Sequence, residues 1–328
     1  MHGDSHIQRL IAPFGPRRPP YDLVVDINLL YHAAEAPRYD KSHPEIFDQL
    51  PRLWELMVEQ AIPCLPQHPL HVLDYGCGTG FAATQVLSLL GTDRIAQITC
   101  YDPSPEMLER CRMRFRHSSF KIRFCASEAA WASDQVPKID LILTNSLLHH
   151  LPNPISLMQD LRQRLGAAAA WIAGHEPSRR FYDNPECVAV WRRFRRARKL
   201  HNLLSPRVYW DHVSRRLRLS SDPATIAAQR AYKMGWFSRR PTPRMIDRLV
   251  DLHVAHSPEE AGDGRGLDFE HMAQEIENSW RLRWVHSYSF LGSIPESAAP
   301  ERWRLEAANL LGRHPLDGAN FCTVWQAI

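Results

Sequence analysis

The sequence predicts an α/β protein, a doubly wound and mostly parallel sheet with a block of helices inserted after the fifth strand. Short apolar runs alternate with helical patterns from Leu70 to Ala173, as expected for parallel strands with helices on both faces. The first run, His71-Val72-Leu73, ends in Asp74 and a glycine turn, Gly76-Cys77-Gly78-Thr79-Gly80, and a helical run from Phe81 to Leu90 follows. Strand-like alternation returns only at Arg281–Leu291 and Gly318–Ile328, after a helical stretch from Pro177 to about Gly266.

The chain has 328 residues, enough for one enlarged domain or a domain with a smaller companion. Its 44% hydrophobic and 23% charged content is ordinary for a soluble globular protein. No apolar run approaches the roughly 18 to 20 residues of a membrane span. The first twenty residues, rich in proline and mixed charge, lack the apolar core of a signal peptide and read as a mobile or surface-wrapped arm. The seven cysteines are scattered, form no CxxC pair and fall partly within apolar strands. They read as reduced thiols of a cytoplasmic protein, without a metal site.

Taken in order, residues 1–64 form an N-terminal arm and helices. Within them, the apolar positions of Pro44–Ile62 suggest a helix interrupted or offset at Pro51. Residues 65–176 form the ligand-binding core, with strands at 70–74, 97–101, 121–126, 139–144 and 168–173. Ser104-Pro105 begins a helix as a serine cap with proline at the first helical position. Residues 177–266 form the helical insertion, with starts at Ser205-Pro206, Asp222-Pro223 and Thr242-Pro243. Residues 267–328 supply a last amphipathic helix, to Ser279, and the final two strands.

Ligands of such sheets bind beyond the carboxyl ends of the strands. That rule gathers Asp74–Gly80, Asp102, Ser127–Glu128, Asn145–His150 and His175–Glu176 into one ring of candidates. Glycines let a backbone approach a ligand closely, and the helix after them offers unpaired N–H groups and the positive end of its dipole. The spacing here is acid-x-G-x-G-x-G rather than the G-x-G-x-x-G of dinucleotide sites.

On HVLDYGCGTG, YDPSPEML and NSLLHHLPNP, the chain resembles the class I (Rossmann-like) S-adenosylmethionine (SAM)-dependent methyltransferases. The resemblance covers roughly residues 65–176 and 267–328. It implies a seven-stranded, mostly parallel sheet whose last strand is antiparallel and inserted beside its predecessor. It also implies SAM as cofactor and S-adenosylhomocysteine as product. On the matching loops it places the cofactor at Asp74, Gly76, Gly78 and Gly80, at Asp102, Pro103 and Met107, at Ser127 and Glu128, and at Asn145 and Ser146. A carboxylate such as Asp102 can accept both hydroxyls of a ribose.

Methyl transfer from a sulfonium is an in-line displacement, and a histidine near neutral pH suits removal of the acceptor's proton. The catalytic candidates are therefore His149 or His150, with His175 and Glu176 facing the same cavity and Glu176 orienting an imidazole. Tyr31, Tyr39, Tyr182 and Arg179 are the substrate candidates, and a core role for the tyrosines stands equally open. Between Arg179 and Arg218 there are twelve Arg and Lys against three acids, although the whole chain carries only +4. Such a segment can hold a carboxylate or phosphate substrate, an acidic carrier protein or RNA, or it is a solvated face.

The expectation is a cytoplasmic methyltransferase acting on a small organic molecule, an anionic one being one reading, with residues 177–266 as its cap. The alternatives are an RNA or protein methyltransferase using the arginines, and a SAM-binding partner protein without activity. No membrane partner is expected, nucleic acid is the lesser reading, and the oligomeric state is open.

Overall fold

The computed structural model describes residues 2–328 except 45, 47–48, 133–136, 204–221, 262–264 and 293–295. The expected helix start at Ser205-Pro206 and the basic residues 207–218 lie outside the described residues. Two compact units result: Ala36–Glu176 with Asp268–His286 and Phe321–Ile328, and Met1–Glu35 with Pro177–Leu267 and Ser287–Asn320.

The first unit is built on a seven-stranded sheet of β1 (Leu70–Tyr75), β2 (Ile95–Tyr101), β3 (Ile122–Cys125), β4 (Ile139–Asn145), β5 (Leu165–Pro177), β6 (Trp280–Tyr288) and β7 (Asn320–Ala327). Its order is β3-β2-β1-β4-β5-β7-β6, and the pairs β1–β2, β1–β4, β2–β3 and β4–β5 are parallel. As the resemblance implies, the last strand enters beside its predecessor, between β5 and β6. Strands of a parallel sheet are covered on both faces, so their sequences run apolar rather than alternate. Leu141, Ile142 and Leu143 in β4 have no exposed surface. Two tryptophans fill the layer beside β4 and β5 with their N–H groups satisfied, as burial requires. Trp171 donates to Thr144 at 2.9 Å and Trp280 to the Met158 carbonyl at 2.9 Å. The reversal from β1 to β4 places the carboxyl ends of β1, β2, β4 and β5 side by side, the usual ligand crevice of such sheets.

Pro51 does not interrupt a helix. It sits in the first turn of Leu50–Ala61, where a missing N–H costs nothing. Leu50, Leu53, Trp54, Met57, Val58 and Ala61 are the buried face of that helix, the spacing of an amphipathic stripe.

The second unit is helical over most of its length. The N-terminal segment is not a mobile arm: His2–Ile11 is a helix that buries Ile7 and Ile11. These two side chains join Leu23, Val24 and Ile27 of helix Pro20–Glu35 and the alanines of helix Pro223–Lys233 in one core. Residues 21–30 fall within that second helix. The anticipated caps form, with Asp222 accepting the Thr225 N–H at 2.8 Å and Thr242 accepting the Met245 N–H at 3.2 Å. Each such cap is worth about 1 kcal/mol. A second core joins Phe181, Tyr182, Trp191 and Phe194 to Phe290, Leu291 and Leu310. No helix of the described residues is long and apolar enough to cross a membrane.

Burial, and then the negative charges of Asp222, Asp251 and Glu35, push the Asp247 carboxyl up to about 6. The folded value lies above the ordinary carboxylate value of about 3.9, so the native state holds the proton more tightly. That contribution is complete below about pH 4 and is lost as the pH rises through 6. Asp247→Asn should therefore stabilise the protein at pH 7, by about 1 kcal/mol after solvent screening, and so raise its melting temperature there while changing little at pH 4. Thermal melts at the two pH values check this, and equal shifts at both would count against it.

Candidate functional site

The turn after β1 runs through three left-handed glycines, Gly76 (φ 69°), Gly78 (φ 53°) and Gly80 (φ 84°). Two of them are needed for different reasons. A Cβ at Gly80 would lie 2.7 Å from the Cys111 sulfur and 2.9 Å from the Phe115 ring, so this glycine lets the turn pack on helix Pro105–Arg114. A Cβ at Gly78 would meet nothing within 4 Å, so the turn presents bare backbone to open space there. Helix Phe81–Leu90 has no side-chain cap from Gly80. Its first turn is capped from β1 instead, by Asp74, which accepts the Ala83 N–H at 3.0 Å. Asp74 is only 1% exposed, and burial raises its carboxyl well above the usual range.

Asp102, one residue beyond β2, ties neighbouring loops together. One oxygen accepts the Gly78 N–H at 2.8 Å and the other accepts the Ser104 N–H at 2.8 Å. Ser104 in turn caps its helix by accepting the Met107 N–H at 3.3 Å, with Met107 buried and Pro103 exposed beside it. After β3, Ser127 and Glu128 are exposed. Glu128 accepts a hydrogen bond from the Tyr75 hydroxyl at 2.5 Å. Tyr75 packs against Tyr101 and Trp131, with ring centres 4.8 and 6.0 Å away. Burial pushes the Tyr101 hydroxyl up to about 12.

The loops after β4 and β5 form a second locked pair. Ser146 (φ 53°) and His175 (φ 60°) are two of the three non-glycine residues in the left-handed region among the described residues. Such strained positions persist only where their surroundings enforce them. Ser146 N–H donates to the Gly174 carbonyl at 2.8 Å. Glu176, fully buried, accepts the N–H groups of Leu147, Leu148 and His149 at 3.0, 2.9 and 3.1 Å. Its second oxygen also lies 2.8 Å from His149 Nδ1. The expected orienting carboxylate is therefore bonded to one imidazole, that of His149. An Nδ1–H donated to a carboxylate leaves the ring's lone pair on Nε2. His150 stacks at a tilt beside it, ring centres 4.1 Å apart and half-buried. His175, the residue before Glu176, is also half-buried. Asn145 Oδ1 accepts the Trp54 indole N–H at 3.2 Å.

Residues 73–169 match the family described as a methyltransferase domain. That stretch is a methyltransferase domain. Over 165 residues, the chain is 31% identical to a trans-aconitate 2-methyltransferase of Streptomyces coelicolor. That alignment covers 47% of this chain and 52% of the other, so the chain spans about half the length of the curated relative it matches. Among solved structures, it is similar to the plantazolicin methyltransferase BpumL in complex with SAH, with 14% identity, 93% of this chain and 97% of that one covered, and a TM-score of 0.43. A SAM-dependent methyltransferase of Clostridium acetobutylicum is 19% identical over 42% of this chain and 58% of that one, with a TM-score of 0.33.

The unit that includes Ala36–Glu176 contains every cofactor and catalytic candidate, and Tyr39 with them. The other three substrate candidates belong to the helical unit, where Arg179 is half-buried and Tyr31 and Tyr182 pack against apolar cores. Burial pushes the Tyr182 hydroxyl up to about 12.

Sequence reasoning missed the clamp around the glycine turn. Arg114 donates to the Thr79 carbonyl at 2.6 Å and to Asp40 at 2.7 Å, while the Thr79 hydroxyl donates to Asp40 at 2.8 Å. Trp54 was missed as well. Asp40 and Trp54 reach their partners across 39 and 91 residues of sequence, with no local spacing to announce them.

Glu176→Gln keeps the side chain's shape but turns one acceptor into a donor facing N–H groups. It should cost about 3 kcal/mol, the scale of an unpaired buried group at a charge-assisted site. Urea unfolding checks this, and a loss below about 1 kcal/mol would show that the β4 and β5 loops do not depend on the carboxylate.

Proposed function

We propose that the chain transfers the methyl group of SAM to a small anionic organic acceptor, leaving S-adenosylhomocysteine. The match of residues 73–169 to the methyltransferase domain family carries the reading, and the geometry of the loops supports it. In this reading the backbone of Gly76, Gly78 and Gly80 receives the methionine end of SAM, with Asp74 fixing the turn from beneath. Asp102, which accepts the Gly78 and Ser104 N–H groups at the edge of the turn, is the proposed acceptor for the ribose hydroxyls. Pro103, Met107, Ser127 and Glu128 border the adenosine, and Asn145 and Ser146 border the sulfonium.

His149 is the proposed base. Glu176 holds its Nδ1 at 2.8 Å, which leaves Nε2 as the basic nitrogen of the ring. A hydroxyl acceptor would lose its proton to Nε2 as oxygen attacks the methyl carbon. A carboxylate acceptor is already a nucleophile, and the imidazole's part is then positioning. His150 and His175 are assigned supporting places around the same loops.

The anionic acceptor is inferred from the basic segment from Arg179 to Arg218. The relative's name, which specifies a tricarboxylate acceptor, points the same way. Arg179, with Tyr31, Tyr39 and Tyr182, is the proposed source of acceptor recognition, and residues 177–266 are its proposed cap. A membrane-free location in the cytoplasm and a role in secondary metabolism complete the proposal.

Calorimetry with SAM, followed by turnover against a panel of di- and tricarboxylates and hydroxy acids, tests the reading. Asp102→Ala should weaken SAM binding about 100-fold, the worth of two charge-assisted hydrogen bonds. His149→Asn should lower kcat about 100-fold or more on hydroxyl acceptors, less than tenfold on carboxylates, and leave SAM affinity unchanged. SAM binding without turnover on any acceptor would favour a non-catalytic SAM-binding protein. Steeply salt-dependent tRNA binding would favour an RNA substrate.

A further inference from the structure

We propose that Cys77, Cys100 and Cys111 form a buried three-sulfur site for a soft, thiophilic monovalent ion, Cu(I), beneath the glycine turn.

The three cysteines come from three elements. Cys77 lies in the turn, Cys100 near the end of β2, and Cys111 on helix Pro105–Arg114. Their sulfurs all lie within 4.8 Å of one another. Their exposures are 6%, 0% and 0%. Gly80 helps to make the room, because a Cβ there would press to 2.7 Å from the Cys111 sulfur. No CxxC spacing announces the group, since 23 and 11 residues separate its members. The fold alone assembles it.

Geometry and ligand type select the ion. With metal–sulfur bonds of about 2.3 Å, a trigonal three-sulfur centre places its sulfurs about 4 Å apart. That lies inside the observed limit and needs only small side-chain adjustments. Structural zinc closes a tetrahedron with a fourth ligand. Among the described residues, this group offers three sulfurs and no fourth histidine or carboxylate ligand. Thiolates select soft ions such as Cu(I), which is satisfied by three ligands. On loading, three S–H bonds give up protons to solvent, three Cu–S bonds form, and copper stays Cu(I), so no oxidant is required. Cys77 N–H donates to the Tyr101 carbonyl at 2.9 Å, which already holds the turn against β2 before any ion arrives.

The test is an anaerobic titration of the reduced full chain with Cu(I), in competition with a chromophoric Cu(I) chelator. One equivalent should bind, and X-ray absorption should show three sulfur neighbours around copper. Cys100→Ser and Cys111→Ser should each weaken binding at least 100-fold, while Cys322→Ser should match the parent. Absence of uptake against the chelator would overturn the proposal, as would copper spread evenly over all seven thiols. Should the serine variants fail to fold, X-ray absorption of the parent chain still decides, and two or fewer sulfur neighbours overturn the site. The measurement needs no methyl transfer, so its failure would leave the proposed methyltransferase activity standing.

Discussion

A single buried carboxylate, that of Glu176, organises the loops after β4 and β5. A carboxylate without exposed surface is stable only when its lone pairs are used. Glu176 achieves this with three consecutive backbone N–H groups and one imidazole nitrogen. The chain after β4 must turn tightly to bring Leu147, Leu148 and His149 to one acceptor, and Ser146 adopts a left-handed conformation just before them. His175 does the same just before Glu176. Two strained residues, one short helical turn and one fixed imidazole tautomer therefore share a single electrostatic origin. Residues that look independent in the sequence form one unit energetically.

The opposite loops are built on the same principle with different parts. Asp74 caps a helix from beneath, and Asp102 bridges the glycine turn to the next helix. Acidic side chains near helix N-termini meet both unpaired N–H groups and the positive end of the dipole. The outcome is a set of backbone segments preorganised before any ligand arrives. The Arg114–Asp40–Thr79 clamp adds an ion pair on the outer side of the turn.

Much of this was legible in the sequence, for physical reasons. A parallel sheet buried on both faces leaves continuous apolar runs, so the strands showed, and ligand loops lie at their ends. The ends themselves were misjudged: β5 extends from Leu165 to Pro177 and β2 begins at Ile95, because strand limits are set by the neighbours' pairing rather than by composition. The Asp222-Pro223 and Thr242-Pro243 signals marked real caps because capping is local. The N-terminal helix was hidden because short helices form through tertiary packing, here of Ile7 and Ile11, rather than through propensity. Trp54 with Asn145, the Asp40 clamp and the cysteine trio were illegible for a related reason. They exist only where distant segments meet, and nothing in their local spacing differs from ordinary core.

The position of β7 has a consequence for how the chain acquires its shape. This strand lies between β5 and β6, although it follows both in the sequence. Until residues 320–327 are made, β5 and β6 lack the strand that joins them, so synthesis from the N-terminus leaves a gap in the sheet. The helical unit faces the same delay, since its segments come from three separated stretches of chain. Assembly is therefore a problem of late closure, in which partly built intermediates carry unpaired strand edges that invite association. The early loops can be in place well before the sheet that supports them is complete.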